Sequence, residues 1–247
     1  MGDRGLNYLM GMRDRFAYQG GKIRKLWLTG DGDVAKFRVL TEGDAMFSHV
    51  FHEVKVQSTR KDFTKDVICS RRLDDDWNFI DPIESCAQCV AGLYVKPKAV
   101  LWVFVEAIAH NSPAQDGSWP LGKRGLLNVY IETVNELRLW LLRDRMIDTV
   151  VKRYGENGSL VDRDWELERQ GVTGKGPVSY TLIGKDAAPP SAACQKAIAE
   201  LRPLEEVVLE EFGDRKPGAP QQAVVEPIVG PTNSSGGGTG LDEVTTF

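Results

Sequence analysis

The sequence predicts a mainly β protein: a small barrel or sandwich of short strands, one helix embedded in the strand run, a further helix behind it and a disordered tail. Three observations carry this. Between residues 34 and 183, runs rich in Val, Ile, Phe, Trp and Tyr recur, separated by Gly- and Pro-rich turns. Three of the four cysteines fall between residues 69 and 89, one pair as Cys86-x-x-Cys89. From Gly213 onward the chain is mostly Pro, Gly, Ser, Thr and Gln, with little to bury.

Residues 1–24 read as an N-terminal arm, with Leu6, Leu9, Met10 and Met12 on one side of a short helix that Gly20 and Gly21 end. Lys22–Leu28 and Val34–Leu40 are expected to form a hairpin around a turn at 29–33. Lys36 and Arg38 would lie on one face, and Ala35, Phe37 and Val39 on the other. Trp27 is assigned to packing. Phe47–Val56 and Asp66–Ser70 are further strands, separated by a basic turn at 58–65. Residues 74–84 read as an acidic loop in which Asp74, Asp75 and Asp76 are a solvated charge run. Lys98–Ile108 is the clearest strand, with Trp102 and Phe104 in the core. A polar loop at 112–125 precedes strands at Leu126–Val134 and Glu136–Leu142, the latter with Trp140 packed inside. Arg143–Tyr154 has helical spacing, with Gly155 to stop it. Asp164–Arg169 and Val178–Ile183 make a closing hairpin. The core thus spans 25–186, followed by an acidic C-terminal helix at 187–213, interrupted at Pro203, and a disordered tail at 214–247.

The composition is globular, with 42% hydrophobic and 27% charged residues. No apolar run approaches the roughly 18 residues of a membrane span, and the N-terminus lacks an apolar signal core, so a cytoplasmic location is expected. The net charge of −4 is uneven. Residues 190–247 hold nine acidic and four basic groups, which leaves the body near neutral and able to present a basic groove. Enzyme signatures are missing: there is no Walker-type phosphate loop, no Gly-x-Ser-x-Gly and no His-Glu-x-x-His. A zinc deaminase would need His-x-Glu and Pro-Cys-x-x-Cys, whereas here His52 and Glu53 are adjacent and Ser85 precedes Cys86.

In a cytosolic chain, Cys-x-x-Cys is a metal knuckle before it is a disulfide, because two intervening residues let both sulfurs reach one tetrahedral ion. Cys69 supplies a third thiolate. His49 and His52 are the candidates for the fourth ligand; three apart on a strand, they face opposite sides, so one serves, and His52 is chosen as nearer to Cys69. A filled Cys-three-His set (His52, Cys69, Cys86 and Cys89) predicts one structural zinc with no open catalytic position. Cys194 reads as a small apolar helix residue, and His110 as a surface loop residue.

These residues resemble a family. The order His52, Cys69, Cys86, Cys89, the segment from Trp27 to Leu40, and the segment from Asp162 through a Gly-Lys-Gly turn to Tyr180 are similar to the phage single-stranded DNA-binding proteins typified by the helix-destabilising protein of T-even phages. The resemblance implies an OB-fold over about 25–186 with a zinc subdomain inserted at about 47–93. It also implies a cleft for single-stranded DNA, roles in replication, recombination and repair, and an acidic C-terminal segment that recruits replication proteins. Self-association on DNA would follow the family, although no matching basic N-terminal segment is present. Binding a strand without reading its sequence needs cations for phosphates and aromatic faces for bases. That chemistry selects Lys36, Arg38, Arg60, Lys61, Phe63, Lys65, Trp119, Lys123, Arg124, Arg163, Trp165, Arg169 and Lys175. The competing expectation is a zinc-stapled protein-interaction adaptor, which would scatter these residues and expose an apolar patch instead.

Overall fold

The structure, a computed structural model, describes residues 23–57, 63–143, 145–171, 177–213 and 225–226. The N-terminal arm, the remainder of the tail, Arg60, Lys61 and Lys175 lie outside the described residues. Nine strands form one antiparallel sheet: β1 (Val34–Val39), β2 (Phe47–Val56), β3 (Phe63–Ile68), β4 (Val95–His110), β5 (Leu121–Arg124), β6 (Leu127–Arg143), β7 (Arg163–Gln170), β8 (Ser179–Ala187) and the two-residue β9 (Val225–Glu226). The helices are α1 (Ala87–Val90), α2 (Arg145–Asn157), α3 (Ala192–Ala199) and α4 (Leu204–Phe212).

β4 organises the sheet. Its sequence is near-continuously apolar, which suits a strand buried on both faces. One edge pairs with β6 along most of its length; the other pairs first with β2 and then with β1, so the order runs β3-β2-β4-β1-β7-β8. The arrangement is OB-like, but the barrel does not close: among the described residues β8 pairs only with β7. Leu101, Val103 and Val105 point into a core shared with Phe37, Trp140, Trp165, Leu167 and Leu182, and α2 plugs it with Val150. Phe37 and Trp140 meet edge to face at 5.1 Å. Val100 and Trp102 face the other way, into a second core with Phe51, Leu139 and the Leu204, Val207, Val208 and Phe212 face of α4.

Several elements differ from expectation, each for a local reason. No opening hairpin forms: Arg24–Leu26 instead hydrogen-bonds with Leu139 on β6, through a single parallel bridge at Lys25. The two strands expected at 126–142 are one, β6, whose register against β4 shifts between Val105 and Ala107; Asn135 takes a positive φ of 47° opposite that shift, which absorbs the irregularity without ending the strand. α2 runs through Gly155 and stops at Gly158, where φ is 73° and the amide returns to the Tyr154 carbonyl, a left-handed C-cap that glycine takes at little cost. The C-terminal helix, broken at Pro203 as expected, is not an appendage. α4 supplies half of the second core, and the stretch before α3 lies across β1, where the Ala188 carbonyl accepts from Arg38 at 2.8 Å.

Candidate metal centre

The centre lies between β2, the end of β3 and a short knuckle after it. β2 turns Val50, His52 and Val54 to one face and Phe51 and Glu53 to the other, so Phe51 enters the second core while His52 faces the knuckle. The pairing of His52 with Val67 on β3 carries the chain to Cys69, whose amide bonds to the Val50 carbonyl. A 3-10 turn at Ile83–Ser85 leads into Cys86, which has extended backbone and starts α1, placing Cys89 one turn later. Gly92, at φ 74°, then reverses the chain into β4. The His52 Nε2 atom lies 3.4 Å from Cys86 Sγ and 3.5 Å from Cys89 Sγ, and Cys69 Sγ lies 3.6 Å from Cys89 Sγ. All four ligand atoms fall within 4.8 Å of one another, and all four residues are buried. The sulfur spacing is far longer than the ~2.05 Å of a disulfide, and the cysteines are free. The set could hold one metal ion.

The surroundings favour anionic sulfur at one position first. Burial works against a charged Cys86, but the backbone amides of Ser70 and Cys89, with the Ser70 hydroxyl and the Cys69 side chain, outweigh it and bring the thiol down to about 6. Burial pushes Cys69 up to about 12, with Cys89 and Cys86 adding to the effect against the Arg71 amide. Binding of a cation would therefore displace protons from this cluster. His49 takes a supporting place: its Nε2 hydrogen-bonds to the Cys69 carbonyl at 2.8 Å. Arg71 lies over the Phe79 ring at 3.7 Å and donates to the Asp81 carbonyl, fixing the loop beside the cysteines.

No protein family, curated protein or solved structure matches this chain.

The expected nucleic-acid contacts separate into three groups. Trp165 is fully buried, its indole donating to the Leu160 carbonyl, so it is core and not a stacking surface. Arg38 is buried against Asp164 and the Ala188 carbonyl, and Arg169 is buried against the Leu28 and Thr29 carbonyls; both hold backbone rather than facing a ligand. β1 alternates as expected, but on its polar face Arg38 is covered by the segment after β8 while Lys36 stays exposed. A second group is engaged in ion pairs: Lys36 with Glu106 at 2.6 Å, Arg124 with Glu168 at 2.9 Å and Arg163 with Asp162 at 2.7 Å. Trp119 stacks on His110 at 4.0 Å with the rings 8° from parallel. His110 is itself no loop residue: it ends β4 between Asp33 at 3.3 Å and Glu132 at 3.2 Å. The third group is free. Phe63 is 53% exposed, and Lys65 and Lys123 have no charged partner among the described residues.

Trp102, Phe104 and Trp140 are core, and Cys194 is a buried helix residue. Trp27, expected to pack, is 62% exposed, because the segment that bears it runs past β6 instead of pairing in a hairpin. The supporting role of His49 and the Ser70 amide at Cys86 went unforeseen. The only sequence signal was the position of Ser70-Arg71 directly after a ligating cysteine.

Proposed function

We propose that this chain is a zinc-stapled, sequence-independent single-stranded-DNA-binding protein of DNA replication, recombination and repair, and not an enzyme. Zinc is favoured by chemistry and by size. Three sulfurs and one imidazole nitrogen are a preferred set for a closed structural site, and a tetrahedral zinc with Zn–S ~2.3 Å and Zn–N ~2.0 Å has S···S edges of ~3.8 Å and S···N edges of ~3.5 Å. The observed separations of 3.6, 3.4 and 3.5 Å fit that size. With four protein ligands no position is left for a reacting water, which supports a staple over a catalyst.

The observation that carries the binding proposal is the β2–β3 ribbon. The staple grips its base through His52 and Cys69. Farther out, Phe63 and Lys65 stand two residues apart on one face of β3, an exposed aromatic beside a cation with no counter-charge among the described residues. Arg60 and Lys61 precede them in sequence. This is the pairing that tracks phosphates and stacks bases. Lys123, on the β5–β6 hairpin, adds a second cation. The resemblance to phage helix-destabilising proteins supports the same proposal, with the OB-like sheet as the platform and replication proteins as the partners of the C-terminal segment.

The test is a titration of fluorescent oligo-dT and a matching duplex with the zinc-loaded full chain at several salt concentrations. The expected result is much tighter binding to the single strand, falling steeply with salt, with Phe63→Ala weakening it by about 1–3 kcal/mol. Equal or absent binding to both nucleic acids at low salt overturns the proposal and leaves the zinc-stapled adaptor in its place.

A further inference from the structure

Residues 72–80 form a hairpin of their own, which runs on through Asp81 into the 3-10 turn at Ile83–Ser85. Leu73 and Phe79 bridge, the Ile80 amide bonds to the Arg72 carbonyl at 3.0 Å, and the Asp74 carboxylate accepts from the Asn78 amide at 2.7 Å. The tip residue is Trp77. Its φ of 64° lies in the left-handed region, which a bulky side chain enters at a cost of about 1–2 kcal/mol, so the turn is held by its surroundings rather than by preference. Trp77 is 50% exposed, Ile80 59% and Ile83 49%. The module beneath is rigidly anchored: Arg72 and Asp81 form an ion pair at 2.8 Å, and Arg71 is committed to Phe79 and the Asp81 backbone.

Charge decides what can cover these apolar groups. Asp75, Asp76 and Glu84 are exposed with no ion pair among the described residues, while Arg72 and the preceding Arg71 are already engaged. The rim is therefore net negative. It repels phosphates and complements Lys and Arg. A fixed, half-exposed tryptophan with an acidic rim matches the hot-spot pattern of protein recognition.

We propose that the 72–84 segment, with the hairpin turn centred on Trp77, is a docking site for a cationic protein segment with apolar anchors. The site is independent of the nucleic-acid proposal. Trp77 and Ile80 enter between the partner's aliphatic residues, and Asp75, Asp76 and Glu84 meet its Lys or Arg side chains.

The experiment measures fluorescence anisotropy of a labelled peptide of alternating Arg and Leu, and of its Glu-for-Arg counterpart, against the zinc-loaded full chain. The key variant is Trp77→Gly, since glycine accepts the left-handed backbone and keeps the turn folded. It is joined by the double variant Asp75→Asn/Asp76→Asn and by Trp27→Gly, which removes an exposed tryptophan elsewhere. The expected result is binding of the Arg peptide alone, weakened about tenfold or more by Trp77→Gly. The Asn pair should weaken it several-fold and flatten its salt dependence, and Trp27→Gly should leave it unchanged. Metal content and oligo-dT affinity should stay at parental values in Trp77→Gly. Equal binding of the two peptides, or parental affinity in both hairpin variants, overturns the proposal.

Discussion

The cluster of one histidine and three cysteines was legible at the level of single residues because metal chemistry is discrete: few residue types bind such ions, and the Cys-x-x-Cys spacing is short-range information. Strand alternation said that only one of the two histidines serves, and the choice of His52 rested on its nearness to Cys69 in sequence. His52 faces the sulfurs, while His49, three residues earlier, reaches the Cys69 carbonyl. His52→Ala is therefore expected to abolish stoichiometric metal, whereas His49→Ala should retain the metal with a smaller loss of stability, as metal analysis and thermal melting would show; equal metal loss in both contradicts the assignment. His110 gives a pH prediction. Burial alone would lower its pKa, but the hydrogen bonds to Asp33 and Glu132 overrule it and hold the pKa above 6.5. Its contribution is thus fully present below the unfolded value and is lost as pH rises through the raised folded value. The melting-temperature advantage over His110→Gln should be about 2–4 °C near pH 6 and shrink toward pH 9; an advantage that grows with pH would contradict it.

Charged contacts were far less legible, and the reason appears among the elements. Whether Lys36 or Arg38 is free depends on Glu106, Asp164 and Ala188, residues that come from β4, β7 and the stretch after β8. Periodicity assigns a residue to a face; it does not say what later covers that face. The same blindness left the C-terminal helix outside the core assigned to residues 25–186. In the structure, α4 buries Val207, Val208 and Phe212 against β2 and β4, with Phe212 and Phe51 edge to face at 5.5 Å. Phe212→Ala should cost about 3–5 kcal/mol in urea unfolding, the range for deleting a buried aromatic. A cost under ~1 kcal/mol, typical of a surface position, would mean that α4 does not belong to the core. Helix length was missed for a smaller reason: a mid-helix glycine costs only ~1 kcal/mol relative to alanine, and the packing of Val150 and Ile147 overrides it at Gly155.

For the molecule as a whole, the mainly β class was legible because β4 and its neighbours carry unambiguous apolar patterns, whereas the order of strands in the sheet was not, since pairing across the chain leaves no mark in local periodicity. The path of residues 23–28 was not, since a strand-like alternation there is used to cross β6 rather than to pair in a hairpin. The result is an open OB-like sheet with a core on each face and a third, sulfur-centred cluster at one end. Of the described residues, no helix is long and apolar enough to cross a membrane. The cluster of His52, Cys69, Cys86 and Cys89 joins β2 and β3, the latter bearing Phe63 and Lys65, to the segment that bears Trp77. A metal held there would support both proposed surfaces. The most direct measurement is metal content by mass spectrometry of the native chain, with X-ray absorption at the zinc edge. The account predicts one zinc per chain, bound by three sulfurs at ~2.3 Å and one nitrogen at ~2.0 Å. A metal-free folded chain, or a disulfide among Cys69, Cys86 and Cys89, would contradict it.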